Sequence, residues 1–210
     1  MKYTKFEQFK SEWPSGGIFD TQVINHVVYD RDKYIKNLLD VGHVLDAKGI
    51  PFFLAFGTLL GAIRDQGPCA GDMDVDVMIK SEYEPQLIEL VKEQSFFQAL
   101  GFRICRMSTY YVSVDRANSY VDIYLMRPEC EAVHFPIYYP ADTLDDVNKI
   151  EDLDDKHYHC YCYRVLKWRL DNPEKIFLHG RTWNIPSQPE TYLADKYGDW
   201  KTPANYHARS

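Results

Sequence analysis

Residues 52–79 read FFLAFGTLLGAIRDQGPCAGDMDVDVMI and constrain the fold more tightly than any other stretch of the chain. Phe52–Phe56 is a short apolar run with the character of a buried strand. Gly57 and Thr58 follow at once, and TLLGAIRD reads as one or two turns of helix. Gly67, Pro68 and Gly71 then break the chain into a loop. DMDVDVMI alternates, with Asp72, Asp74 and Asp76 on one side and Met73, Val75 and Val77 on the other. In a strand, Asp74 and Asp76 project from the same face. Two carboxylates held that close raise each other's pKa, and a divalent cation removes the conflict. Mg²⁺ characteristically sits on one or two carboxylates plus substrate phosphates. Taken alone, the Asp-rich run also reads as a solvated loop entering a strand. The small-residue turn upstream favours the metal reading. A strand, a Gly-Thr turn and a short helix present free backbone N–H groups to a phosphate.

The acidic strand has a counterpart further on. YVDIYL (120–125) places Val121, Ile123 and Leu125 on one face and Tyr120, Asp122 and Tyr124 on the other. A lone carboxylate between Val121 and Ile123 is a poor choice for a purely structural strand, because burying an unpartnered ion is costly. The alternative is a strand-end Asp paired with Arg103 or Arg116.

Gly57–Asp76 resembles the LicD/fukutin family of the nucleotidyltransferase (polymerase-β-like) superfamily. Its motif runs approximately G-[TS]-L-L-G-A-x-R, a short loop, then W-D-x-D-x-D. Here Gly71 stands in place of the Trp, and Pro68-Cys69-Ala70 replaces a more apolar stretch. Val121-Asp122-Ile123-Tyr124 is similar to the family's third acidic string. Ile185-Pro186, Tyr192-Leu193, Tyr197-Gly198 and Trp200 are similar to its closing string. The resemblance spans about residues 52–203. It implies an α+β nucleotidyltransferase fold, a small mixed sheet with packed helices.

The rest of the chain, in order, is consistent with that fold class. Residues 1–19 read as an irregular lead-in, and 20–210 as one domain. Asp20 is placed to cap a helix reaching about Lys48, with Val27, Tyr34, Leu38, Val41 and Leu45 as its apolar stripe and Gly49 as its stop. His26 and His43 on it read as surface or packing residues. Tyr83–Phe97 reads as a second helix, with Leu87, Leu90, Val91 and Gln94 on one face and Gly101 as its close. Arg103–Met107 and Tyr110–Val114 alternate like hairpin strands, and Asn118-Ser119 makes the turn into 120–125. Residues 134–144 suggest a connecting or edge strand, and the acidic run from Asp142 to Asp155 a solvated loop without EF-hand spacing. KHYHCYCYR (156–164) gathers no tetrahedral site in either regular geometry, so a structural role is expected for its histidines and cysteines. VLKWRLDNPEK (165–175) reads as helical until Pro173. FLHGRTWNIPSQPETYLADKYGDW (177–200) reads as strand, turn, strand, then a helix after Pro189.

Composition narrows the function classes. The 210 residues carry a net charge of −7 with no Lys/Arg-rich run, which argues against a nucleic-acid partner. Five cysteines, Cys69, Cys105, Cys130, Cys160 and Cys162, match no zinc or disulfide framework and suggest a reducing, cytoplasmic compartment. The start, MKYTKFEQFK, has no apolar signal region, and no run approaches a membrane span, which leaves peripheral membrane contact open.

The resemblance implies transfer of a phosphorylated alcohol (phosphocholine, ribitol phosphate or similar) from a CDP-linked donor to a hydroxyl of a glycan or glycoconjugate. It implies Asp74, Asp76 and Asp122 as the catalytic carboxylates, with Asp74 and Asp76 holding Mg²⁺ or Mn²⁺. Asp122 acts as base or completes the metal shell, and Asp72 supports the loop or joins the metal. Gly57, Thr58 and Arg64 are the expected donor-phosphate contacts. Arg64 alternatively is a helix-end cation for Asp65 or Asp72. Two rivals remain: a conventional nucleotidyltransferase moving NMP from an NTP, and a glycan-binding pseudoenzyme using the chain's many aromatic residues.

Overall fold

A computed structural model of the chain describes residues 29–107, 111–129, 132–140, 158–166 and 168–203. The lead-in, Asp20, His26, Val27, the 142–155 acidic run and His157 lie outside the described residues. The architecture is α+β: a mixed sheet with helices packed on it.

The first helix, α1 (Arg31–Ala47), starts later than expected. Asp30 is extended, and its Oδ1 accepts from the amides of Asp32 and Lys33, both at 3.1 Å. That is a side-chain N-cap, so the helix begins there rather than continuing from Asp20. Tyr34, Leu38, Val41 and Leu45 form the buried stripe, His43 is exposed, and Gly49 at φ +65° ends the element. β1 is only Phe52–Leu54, shorter than expected. Phe56, at φ +39°, already opens α2 (Phe56–Arg64). β2 (Asp74–Lys80) carries the alternating acidic run, with Asp72 in the turn before it.

The second helix is divided in two. α3 (Glu84–Glu93) stops at Gln94, which takes φ +50°, and α4 (Ser95–Ala99) restarts in a new direction. The break turns Phe97 into the core, edge-on to Phe102 with ring centroids 6.4 Å apart. Gln94 is therefore the hinge of this face and not part of it.

β3 (Arg103–Met107), β4 (Tyr111–Arg116) and β5 (Ser119–Glu129) form an antiparallel meander, with Ala117 and Asn118 at positive φ in the second turn. β5 runs past residue 125 and pairs with β6 (Ala132–Pro140), which pairs with β7 (Tyr158–Leu166). Val165 and Leu166, expected in a helix, instead extend the β7 ladder against Val133 and Ala132. The helix there shrinks to α5 (Trp168–Asp171). β8 (Glu174–Leu178) and β9 (Arg181–Ile185) form the expected hairpin, and α6 (Pro189–Tyr197) follows.

The main sheet runs β3-β4-β5-β2-β1-β9-β8. β2 and β5 are parallel, whereas β1 is antiparallel to β2. The end of β1 and the starts of β2 and β5 therefore meet at one edge of the sheet. Here α2 leaves β1 and the acidic strands begin. The core contains Leu38, Leu45, Leu54, Leu59, Val75, Val77, Ile79, Val121 and Ile123, all at or below 1% exposure. The apolar face of both acidic strands is thus fully dry.

Candidate active site

Strand register brings the carboxylates together. Asp76 is directly opposite Asp122 across the parallel β2–β5 pair, and Asp74 is opposite Tyr120. Cross-strand partners project to the same side. Ligand oxygens of Asp74, Asp76 and Asp122 all lie within 4.8 Å of one another, the one such cluster of three or more His, Cys, Asp or Glu among the described residues. Asp76 and Asp122 are buried, at 6% and 5% exposure.

The metal-free cluster is electrostatically unfavourable. Burial, then the charges of Asp74, Asp72 and Asp122, push the Asp76 carboxyl well above the usual carboxylate range. Asp72 is pushed up to about 7, first by burial and then by Asp74. An all-carboxylate oxygen set suits a hard divalent cation, which would relieve this repulsion. The residues present therefore fit a metal. Asp74, Asp76 and Asp122 would hold it.

Asp122 is fixed by two neighbours. Ser113 Oγ, opposite it on β4, donates to Oδ1, and the Tyr124 hydroxyl donates to Oδ2 at 3.2 Å. The two arginines of the alternative reading have other carboxylate partners. Arg103 faces Asp115 at 2.8 Å, and Arg116 binds Asp40 at 2.7 Å.

The Gly-Thr turn serves the metal strand directly. Thr58 is 3% exposed, and its Oγ1 accepts the Asp76 amide at 2.8 Å. The same oxygen shares a 2.5 Å hydrogen bond with the Tyr34 hydroxyl, which also reaches Asp72 Oδ2 at 3.5 Å. The Ala55 amide donates to the Asp76 carbonyl at 3.1 Å. The Thr58 hydroxyl thus holds β2 in place rather than standing open to a phosphate. A Cβ on Gly57 would fall 2.7 Å from Asp72 Oδ2, so only glycine lets that carboxylate pack there. Gly61 is needed for a similar reason, since its Cβ would run into the Gly67 carbonyl. No side chain caps the N-terminus of α2 at Ala55. Its first-turn amides face the same sheet edge as the carboxylates.

Arg64 is placed as the helix-end cation. Its Nε and Nη2 grip Asp65 at 2.9 and 2.8 Å, and Nη1 donates to the Trp200 carbonyl at 3.2 Å. This fork ties α2 to the segment after α6. Cys69 lies alongside, 3.4 Å from Arg64 Nη2, its thiol pushed up to about 12 mainly by burial.

Four residues at the site were not singled out as site residues in the sequence: Tyr34, Ser113, Tyr124 and Lys196. Tyr124 shares its face with Asp122 by simple alternation. Lys196 is i+4 from Tyr192 and i+3 from Leu193, both buried, so a cation falls on the packed face of α6. Its ammonium lies 3.7 Å from the centroid of the Phe56 ring, itself edge-on to Tyr124 at 5.0 Å. Burial pushes Lys196 down to about 7, against the opposite pull of Asp76. Ser113 had no signal short of the β4–β5 register.

Related sequences and structures bracket the chain. It is 24% identical over 200 residues to the uncharacterized protein RT0683 of Rickettsia typhi, covering 93% of this chain and 58% of that protein. It is 26% identical over 120 residues to the uncharacterized protein RP689 of Rickettsia prowazekii, covering 56% of this chain and 43% of that one. The chain thus spans about half the length of the curated relatives it matches. Among solved structures, the antibiotic-resistance factor ANT(2'')-Ia aligns with a TM-score of 0.45 at 13% identity, over 83% of this chain and 79% of its own. The lincosamide antibiotic adenylyltransferase LnuA aligns with a TM-score of 0.46 at 10% identity, over 82% and 90%. Residues 49–186, more than half the chain, match the family model LicD/FKTN/FKRP, nucleotidyltransferase domain, and the chain belongs to that family.

Proposed function

We propose that the protein is a metal-dependent phosphotransferase. It moves a phosphorylated alcohol from a CDP-linked donor to a hydroxyl of a glycan or glycoconjugate. The observation that carries this reading is the set of three carboxylates within 4.8 Å on paired strands, at the edge where the uncapped α2 begins. The donor and acceptor classes come from the family resemblance.

In this reading Asp74 and Asp76 would hold Mg²⁺ or Mn²⁺, which would neutralise a diphosphate and make its phosphorus a better electrophile. The first-turn amides of α2, at Gly57 and Thr58, receive a donor phosphate. Asp122, oriented by Ser113 and Tyr124, takes the proton of the attacking hydroxyl or would complete the metal shell. CMP leaves as the phosphoester to the acceptor forms. Thr58 and Tyr34 keep Asp76 in register, and Asp72 fills the space beside Gly57.

A donor screen tests this. CDP-choline, CDP-ribitol, CDP-glycerol and the four NTPs are incubated with Mg²⁺ and glycan acceptors, and CMP and pyrophosphate are followed. CMP release from one CDP-alcohol, lost on chelation, is expected. Pyrophosphate release from an NTP would replace the reading with a conventional nucleotidyltransferase. Binding without turnover of any donor would leave a binding module.

A further inference from the structure

We propose that Tyr34 is a positioning residue of the metal centre, its hydroxyl holding Asp72 as a carboxylate that serves the cation's water without ligating the ion. Tyr34 stands on α1, far in sequence from both acidic strands, and is 3% exposed. Its hydroxyl lies between Thr58 Oγ1 at 2.5 Å and Asp72 Oδ2 at 3.5 Å. Each of the two buried hydroxyls has one proton to place. Thr58 Oγ1 already accepts the Asp76 amide at 2.8 Å. If Tyr34 donated to Thr58, the Thr58 proton would have no acceptor among the described residues, and the Asp72 carboxylate no donor. Both protons are placed in one order only: Thr58 donates to Tyr34, and Tyr34 donates to Asp72. The chain therefore runs one way, from the Asp76 amide through two hydroxyls to the Asp72 carboxylate, and each bond polarises the next.

Asp72 is seated for such a role. Both of its carboxylate oxygens pack on Gly57, 2.7 and 3.1 Å from where a Cβ would stand. Asp72 comes two residues before Asp74, yet it lies outside the set of three whose oxygens are within 4.8 Å of one another. The bond from Tyr34 is its one side-chain hydrogen bond among the described residues, whereas an ionised carboxylate accepts about four. Mg²⁺ demands near-octahedral oxygen geometry and usually keeps several waters. Asp74, Asp76 and Asp122 would leave positions for water, and a carboxylate just outside them would give that water an acceptor. Outer partners of this kind orient the groups around a metal and tune its affinity. The hydroxyl chain would do so while tying Asp72 to the backbone of Asp76.

The inference rests on the metal-dependent reading but not on the donor, so its test contains no nucleotide. Mn²⁺ is titrated calorimetrically into wild type, Tyr34→Phe, Asp72→Asn and the double variant. The waters on the bound Mn²⁺ are counted by water-proton relaxation. Tyr34→Phe should weaken Mn²⁺ about 10-fold and Asp72→Asn about 10- to 100-fold, the usual worth of an outer partner. The double variant should bind no more weakly than Asp72→Asn, because Tyr34 acts through Asp72. The water count should match in wild type and Asp72→Asn. Unchanged Mn²⁺ affinity in Tyr34→Phe overturns the proposal and leaves Tyr34 a packing residue. Additive losses in the double variant overturn it too, since the two residues then act apart. An extra water in Asp72→Asn makes Asp72 a direct ligand and also overturns it. If Tyr34→Phe does not fold, Asp72→Asn decides alone. Weaker Mn²⁺ with the same water count supports the proposal, and unchanged affinity overturns it. In each of these cases the metal-dependent reading stands. A wild type that binds no Mn²⁺ removes the proposal and that reading together.

Discussion

Replacing Thr58 by Val tests whether the hydroxyl of the Gly-Thr turn works on the fold or on the substrate. Valine has nearly the same shape, so no cavity forms. What disappears is the acceptor for the Asp76 amide at 2.8 Å and the partner of the Tyr34 hydroxyl at 2.5 Å. An unsatisfied buried N–H costs about 1–3 kcal/mol, and a lost neutral hydrogen bond about 0.5–1.5 kcal/mol. Tyr34 keeps its long contact to Asp72, which places the second loss at the low end. The sum is about 1.5–3.5 kcal/mol, or roughly 3–14 °C in melting temperature for a chain of this size. Thr58→Ser keeps the hydroxyl and loses one methyl, about 1 kcal/mol. Circular-dichroism melts and urea titrations in EDTA should rank wild type above Ser above Val. Apolar burial alone predicts the reverse order for the two variants. A Val variant melting within a degree or two of wild type, or above the Ser variant, would refute the assignment.

Metal-free wild type should lose stability as pH rises from about 4 through about 7, followed by thermal melts in EDTA. The folded-state pKa values of Asp72 and Asp76 are raised, so the native chain holds protons that the unfolded chain releases above its ordinary carboxylate pKa. Asp72→Asn should flatten that slope; an unchanged slope would dismiss Asp72 as its source. Asp76→Asn should raise the melting temperature in EDTA while weakening Mn²⁺ binding in calorimetry, since it removes the repulsion and a ligand together. Tyr124→Phe and Ser113→Ala should each lower turnover less than Asp122→Asn, for which a loss of roughly 10²–10⁴ is expected of a base. Equal Mg²⁺ titrations in wild type and Asp122→Asn would assign Asp122 to the proton rather than the metal.

The strand–turn–helix–strand unit of residues 52–80 was legible because its signals are local: an apolar run, two small residues, breakers, then strict alternation. Alternation also paired Asp122 with Tyr124 on one face. What the sequence hid depends on contacts between distant segments. Ser113 meets Asp122 only through the β4–β5 register, and Tyr34 meets Thr58 across two helices. Thr58 read as a phosphate ligand because its claim on the Asp76 amide is invisible until β1 and β2 are antiparallel. Arg64 was left open between a phosphate contact and a helix-end cation for Asp65 or Asp72, because nothing local decided between them, and its bonds to Asp65 match the second. The helix errors have local causes that lost to packing. Asp30 caps the helix that starts at Arg31, and burial of Phe97 accompanies the bend at Gln94.

β1 has three residues, and its two neighbours come from opposite ends of the described chain. β2 arrives after one short helix and a loop. β9, joined through Phe53 and Asn184, is separated from β1 by most of the sequence. Until the β8–β9 hairpin docks, β1 is an edge strand of Phe-Phe-Leu with unpaired main-chain groups, the composition and exposure that recruit foreign strands. Such distant pairing also slows the search for the native topology. Refolding from urea should therefore be slow and concentration-sensitive, with aggregation nucleated at β1. During synthesis the β1 edge stays open until residues 174–185 have left the ribosome, so that interval is when this edge is most exposed to foreign strands.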